Sequence, residues 1–186
     1  GAVLLRMTQA GICGSDLHTW RADQSQEHLP IPVNGRVMGH EGTGVIEVLS
    51  DNVATDTLGT PVQQGDRVIY SAVFPCYRCH LCLKGDTNWC ANREYPTAGV
   101  HPYFTGTYAD FLYLPPRHPF FRVPDELPDE ILGPVNCAMG TVTTGLQRAQ
   151  LGEGEYVVIQ GAGGLGVHAT AMAKDMGAHK VIVLDR

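Results

Sequence analysis

Four of the six cysteines of this chain lie within fifteen residues, with the spacing Cys-x2-Cys-x2-Cys-x7-Cys. They are Cys76, Cys79, Cys82 and Cys90. Four thiolates repel one another unless a cation gathers them, and Zn²⁺ binds four in a tetrahedron. Because four thiolates saturate the metal, the spacing predicts a structural zinc site with no open position. An iron–sulfur cluster is an alternative, although the ferredoxin motif has three residues rather than seven before its fourth cysteine. Disulfides or plain thiols are further alternatives.

A second set of potential ligands is scattered along the chain, at Cys13, His40 and Cys137. Each is weak on its own, because a lone cysteine is usually a small buried hydrophobe. Three protein ligands with an open fourth position are nevertheless the pattern of a catalytic zinc site. Beside a closed four-cysteine loop, this set predicts a second zinc at which chemistry takes place.

A glycine loop near the end of the chain fits the pattern G-x-G-x-x-G. A buried-type strand precedes it at 156–160, a helix follows at 167–176, and Asp185 ends the next strand at 180–184. This context predicts a dinucleotide site, with the pyrophosphate at the helix N-terminus. The loop residues are Gly161, Ala162, Gly163, Gly164, Leu165 and Gly166.

The glycines of this loop and the acidic residue after it have separate expected tasks. Gly161 permits the tight turn, Gly163 lets the backbone approach the pyrophosphate, and Gly166 allows helix and strand to pack closely. The Asp185 carboxylate is expected to bond the adenosine ribose and to repel a 2′-phosphate, which favours NAD over NADP. Arg186 leaves NADP as an alternative cofactor, since an arginine can bind that phosphate.

The elements that position these residues fall into two parts. Residues 1–128 are rich in glycine, proline and β-forming residues, with strands predicted at 43–49, 67–73 and 108–114. Residues 129–150 have helical spacing of apolar residues, and a strand–helix–strand unit follows. The fold class is therefore mixed β and α/β. A two-stranded parallel sheet leaves an apolar face uncovered, so we expect the chain to belong to a longer protein.

Composition excludes several classes of function. The net charge is −6 without a run of basic residues, which argues against nucleic acid or an anionic membrane as partner. The chain contains no apolar stretch long enough for a membrane span. The N-terminus does not resemble a signal peptide. A cytoplasmic location is expected, where cysteines stay reduced and metal is favoured over disulfides.

Together these motifs resemble the zinc-dependent alcohol dehydrogenases of the medium-chain dehydrogenase/reductase family. The resemblance covers the whole chain, as an irregular GroES-like catalytic domain at 1–128 and the first unit of a Rossmann domain at 129–186. The loop of four cysteines has the structural-zinc spacing of that family, and Gly-His-Glu at 39–41 is its zinc signature. Cys13, His40 and Cys137 match its catalytic-zinc ligands.

The resemblance also implies roles for further residues. Ser15 would contact the alcohol oxygen and His18 would pass its proton to solvent. Asp16 would orient the ligand histidine, Glu41 would be a conditional ligand, and Thr141 would pack on the nicotinamide. The alternative interpretation is that Ser15 and Asp16 are plain turn residues and that His18 is a surface histidine, without such roles.

The activity implied by the resemblance is reversible oxidation of an alcohol to an aldehyde or ketone, with hydride transfer to NAD. It implies two zinc ions per chain, a small-molecule substrate, and a homodimer or homotetramer for the full-length protein. Two alternatives stay open: a zinc-binding fragment or homologue that does not turn over, and a zinc-ribbon nucleic-acid binder, which the acidic charge argues against.

Overall fold

The computed structural model describes residues 1–21, 37–92 and 106–186. They form two compact units, residues 1–133 and 134–186. Among the described helices, none is both long and apolar enough to cross a bilayer.

The first unit is built on one antiparallel sheet of five strands. The bounds of its strands and helices are β1 Val3–Gly11, α1 Gly14–Trp20, β2 Glu41–Leu49, β3 Arg67–Tyr70, α2 His80–Leu83, β4 Phe111–Leu114 and β5 Phe120–Arg122. The strand order is β4-β1-β2-β3-β5. The longest pairing joins β1 to β2, where Gly11 lies opposite Glu41 at the end that carries candidate ligands.

The core of this unit lies on one face of the sheet. Alternate residues of each strand point to the same face, so Val3 and Leu5 of β1 are both buried, as are Leu112 and Leu114 of β4. Ile46, Val68, Tyr70 and Phe120 complete the cluster. This sheet confirms the predicted β-rich class of the first part.

Two of the predicted strands are shorter than expected. The strand predicted at 67–73 ends at Tyr70, because the Ser71 hydroxyl and Val73 form a local turn. The strand predicted at 108–114 begins only at Phe111. The Tyr108 backbone N–H instead donates to the Met38 carbonyl, 3.0 Å away, next to a candidate metal ligand.

The helix predicted over 129–150 is broken into pieces. Two short 3₁₀ segments come first, at Asp129–Ile131 and Gly133–Asn136, and α3 occupies only Ala138–Arg148. Pro134 explains the interruption, since proline lacks an N–H and disfavours α geometry in the residue before it.

The second unit contains α3 and a parallel strand–helix–strand unit. Both predicted strands have their expected bounds, β6 at Tyr156–Gln160 and β7 at Lys180–Leu184, and they pair in parallel. The helix α4 between them occupies Gly164–Asp175, so it begins three residues earlier than predicted and includes the end of the glycine loop. After α4 the chain turns at Gly177, whose φ of +91° favours glycine.

A buried histidine links the stability of the first unit to pH. The His118 ring is stacked on Phe74 with centroids 4.1 Å apart, and its Nε2 lies 2.7 Å from the Ser71 carbonyl. Burial lowers the pKa of His118 to about 4. The native state therefore holds a neutral imidazole, whose N–H donates to that carbonyl.

We expect the free energy of unfolding to fall by about 2 kcal/mol between pH 7 and pH 5 because of this histidine. The unfolded chain binds a proton below about pH 6.5, whereas the native state does so only near pH 4. Urea unfolding of zinc-loaded wild type and His118→Asn at both pH values measures the effect. The variant should lack this part of the loss; an equal loss in both proteins would refute the assignment.

Candidate metal centres and cofactor loop

The loop of four cysteines folds around its own sulfur atoms. Cys79 precedes α2, Cys82 lies within that helix, and a 3₁₀ turn at Thr87–Trp89 leads to Cys90. Cys82 and Cys90 are buried although the turns that carry them are short. A metal held by these buried sulfur atoms would organise the short turns of the loop.

The four sulfur atoms have the separation that one zinc ion requires. All four lie within 4.8 Å of one another. The Cys79 Sγ is 3.5 Å from that of Cys82 and 3.9 Å from that of Cys90. Tetrahedral zinc with Zn–S bonds of about 2.3 Å places its sulfurs about 3.8 Å apart. The donor set therefore fits zinc, and it leaves no position for a substrate.

The surroundings of the loop favour the thiolate at two of its cysteines and oppose it at a third. The Cys82 amide is the main cause that lowers the pKa of Cys79 to about 6. The Arg78 amide is the main cause that lowers the pKa of Cys76. Burial instead raises the pKa of Cys82 to about 12. Ionisation of Cys82 therefore depends on a nearby cation, as expected of a metal ligand.

A second cluster of donors lies in the first unit, where α1 and β2 begin. The ligand atoms of Cys13, His40 and Glu41 lie within 4.8 Å of one another. Cys13 immediately precedes α1, and Glu41 is the first residue of β2. Thiolate, imidazole and carboxylate are all zinc donors. The predicted ligands Cys13 and His40 are thus brought together, with Glu41 beside them.

Asp16 lies directly behind this cluster. Its Oδ1 is 3.5 Å from Nδ1 of His40, and its Oδ2 accepts a 2.9 Å hydrogen bond from the Cys13 amide. A carboxylate at Nδ1 leaves Nε2 of the imidazole for a metal. Asp16 is buried, whereas Ser15 and His18 are exposed on α1. These last two are three residues apart, so they share one face of the helix.

Sequence reasoning missed Tyr108 as a part of this site. Its hydroxyl donates to Asp16 Oδ2 at 2.9 Å, across 92 residues of sequence. Motif spacing contains no signal for such a contact, because the two residues belong to segments far apart in the chain.

In the second unit, Cys137 directly precedes α3, and its carbonyl accepts the Thr141 amide at 2.8 Å as the helix begins. Thr141 is exposed on the first turn of α3.

The glycine loop joins β6 to α4 in the arrangement that the sequence predicts. Gly161 has a φ of +98°, which glycine adopts without strain. A side chain at Gly166 would collide with the Gly161 carbonyl oxygen. At Gly163 and Gly164 a Cβ would meet nothing within 4 Å, so their backbone is open to a ligand. Leu165 is 53% exposed at the start of α4.

Asp185 follows the last residue of β7 and faces the glycine loop. Its carboxylate accepts hydrogen bonds from the amides of Ala162 and Arg186. The Ala162 amide is the main cause that lowers the pKa of Asp185. The residue is therefore an anion beside the first turn of the loop, as the proposed ribose contact requires.

Comparison with known proteins identifies the family. A family model described as the alcohol dehydrogenase GroES-like domain matches residues 1–125. The chain belongs to this family. The membership confirms the resemblance drawn from the cysteine loop and the Gly-His-Glu signature.

Relatives align along all or nearly all of the chain. A 5-exo-hydroxycamphor dehydrogenase of Pseudomonas putida is 38% identical over 186 residues, which are all of this chain and 50% of the relative. The crystal structure of an alcohol dehydrogenase from Thermotoga maritima has a TM-score of 0.85 at 28% identity, covering 98% of this chain and 50% of that one. The chain therefore spans about half the length of these relatives.

A further solved structure contains a cofactor. Acetophenone reductase from Geotrichum candidum, in complex with NAD, has a TM-score of 0.75 and is 30% identical. The match covers 100% of this chain and 50% of the reductase. Its fold confirms the α/β and β mixture predicted for this member of the alcohol dehydrogenase family.

Proposed function

We propose that the protein is a zinc-dependent oxidoreductase that interconverts an alcohol and an aldehyde or ketone with NAD. The observation that carries this proposal is the cluster of Cys13, His40 and Glu41, with Asp16 behind the histidine. It differs from the loop of four cysteines because its donors are mixed and come from separate segments. Mixed S, N and O donors suit a zinc site that exchanges ligands.

Cys137 is proposed as the third protein ligand of this site, with Cys13 and His40. The support is the match of its position to the family's third ligand, as the resemblance implies. Glu41 is proposed as the conditional ligand, because its carboxylate lies beside the other two donors. When bound, zinc supplies a Lewis acid that lowers the pKa of the alcohol, and NAD supplies the hydride acceptor.

The residues of α1 are proposed to remove the proton of the alcohol. The Ser15 hydroxyl would accept it from the substrate and pass it to His18. Both side chains are exposed and lie one turn apart on the helix. The His18 imidazole suits the last step, since histidine side chains commonly act as proton shuttles. Asp16 would keep the His40 ring oriented throughout.

Residues 129–186 are proposed as the beginning of the NAD-binding domain. Gly161, Gly163 and Gly166 would hold the pyrophosphate loop in shape, and α4 would offer its first N–H groups to the phosphates. Thr141 would pack on the nicotinamide. For the substrate, the relatives named for hydroxycamphor and acetophenone suggest a bulky secondary alcohol.

The remaining proposals concern cofactors, assembly and location. We propose that the protein binds two zinc ions per chain, uses NAD rather than NADP, and forms a homodimer or homotetramer. A cytoplasmic location is proposed because the free cysteines of both sites must stay reduced to bind metal.

Elemental analysis together with an activity assay tests the proposed function. We expect two zinc ions and no iron per chain, and formation of NADH with bulky secondary alcohols by the full gene product. One zinc ion without NADH formation would instead indicate a zinc-binding protein that does not turn over. Iron in place of zinc would contradict both assignments.

Asp185→Asn is expected to lower the preference for NAD over NADP at least about tenfold, as the ratio of kcat/KM values. The substitution removes the charge that repels a 2′-phosphate and keeps the shape of the side chain. Steady-state kinetics with both cofactors give the ratio. Asp175→Asn, at the end of α4, is the matched control and should leave the ratio unchanged. An unaltered ratio in the Asp185 variant would contradict the ribose contact.

A further inference from the structure

Tyr108 joins the segments that carry Cys13 and His40. Its hydroxyl lies 2.9 Å from Asp16 Oδ2 and 3.1 Å from the Gly11 carbonyl, two residues before Cys13. Its backbone N–H donates to the carbonyl of Met38, two residues before His40. One residue from outside both ligand segments thus contacts each of them.

The hydroxyl of Tyr108 restricts the orientation of the Asp16 carboxylate. A tyrosine hydroxyl has one proton, and a charged acceptor binds it more strongly than a neutral carbonyl does. Asp16 Oδ2 therefore receives two donors, the Tyr108 hydroxyl and the Cys13 amide at 2.9 Å. With Oδ2 held in this way, Oδ1 faces Nδ1 of His40, 3.5 Å away.

The ring of Tyr108 also lies against the backbone that leads to His40. Gly39 has a φ of +89°, and a Cβ there would come within 2.8 Å of two ring carbons of Tyr108. Desolvation of the hydroxyl and its bond to Asp16 raise the pKa of Tyr108 above its usual value. The group therefore stays a protonated donor over the working pH range.

We propose that Tyr108 is a positioning residue of the metal site, whose hydroxyl holds Asp16 in the orientation that presents Oδ1 to His40. This inference rests on the proposed function, because it requires a metal at Cys13 and His40. Tyr108 acts through Asp16, the carboxylate to which its hydroxyl donates. Loss of the hydroxyl would let the carboxylate rotate and would leave the His40 ring less firmly oriented.

Zinc release measures this role without recourse to catalysis. Tyr108→Phe, in the full gene product, should release the zinc of Cys13 and His40 to a chromogenic chelator about tenfold faster than wild type. The zinc of the four-cysteine loop should be released at the wild-type rate and serves as internal control. Tyr113→Phe removes a hydroxyl from β4, where Tyr113 pairs with Leu4 of β1, and is the matched control. Tyr108 is 41% exposed, so removal of its hydroxyl oxygen in Tyr108→Phe disturbs little of the surrounding packing.

A double-mutant cycle separates positioning from a general effect on structure. In an Asp16→Asn background, Tyr108→Phe should change the release rate less than twofold, because the hydroxyl acts through the carboxylate. A tenfold change in that background, an unchanged rate in the single variant, or loss of zinc from both sites would each overturn the role of Tyr108. If wild type itself binds only one zinc, the proposed function is the statement that fails.

Discussion

Replacing His40 with alanine is expected to lower kcat/KM for alcohol oxidation at least about 10³-fold, while the four-cysteine loop keeps its zinc. The imidazole is a proposed ligand of the zinc that activates the alcohol, and Lewis-acid activation contributes several kcal/mol to catalysis. His40 also has Asp16 behind it, 3.5 Å from Nδ1, so its loss leaves Oδ1 of that buried carboxylate without the imidazole it faces. Steady-state kinetics and elemental analysis of the full gene product measure the two effects together.

His80→Ala is the matched control for this experiment. His80 is exposed at the start of α2, inside the loop of four cysteines, and the four sulfurs of that loop already suffice for one metal. Its replacement should leave both zinc content and activity unchanged. A folded His40→Ala protein with wild-type kcat/KM would show that the chemistry takes place elsewhere, and the proposed mechanism would be wrong.

Replacing Cys79 with serine is expected to remove the loop zinc and to destabilise the protein by at least about 3 kcal/mol. A loss of this size lowers the Tm of the zinc-loaded protein measurably. Cys79 is near both Cys82 and Cys90, and its lowered pKa of about 6 favours the thiolate that binds zinc. Without the metal, the buried sulfur atoms lose the cation that holds their turns together. Thermal unfolding and zinc content provide the measurements.

Lys84→Ala controls for changes in this loop that leave the ligands in place. Lys84 is exposed immediately after α2, and its variant should keep two zinc ions and the wild-type Tm. Because the loop site has no open position, Cys79→Ser should keep kcat within a few-fold of wild type well below its Tm. A tenfold or larger loss of kcat in folded, active-site-loaded protein would contradict a purely structural role.

Local sequence was sufficient for the features that depend on neighbouring residues. The bounds of β6 and β7 were predicted correctly, because runs of β-branched residues end at glycines and charged residues. The left-handed turn at Gly161 also follows from local sequence, because the motif places a glycine there. The helix predicted over 129–150 is correct only for Ala138–Arg148, because apolar spacing alone does not register the missing N–H of Pro134.

The sequence by itself determined the family, the types of metal ligand and the closed character of the cysteine loop, since these depend on residue identity and short spacing. Only the tertiary structure placed the Glu41 carboxylate beside Cys13 and His40, and the Tyr108 hydroxyl on Asp16. Tyr108 and Asp16 are 92 residues apart, and the pairing of β1 with β4 brings their segments together. Contacts of this kind arise from the burial of many side chains at once, so no local pattern records them.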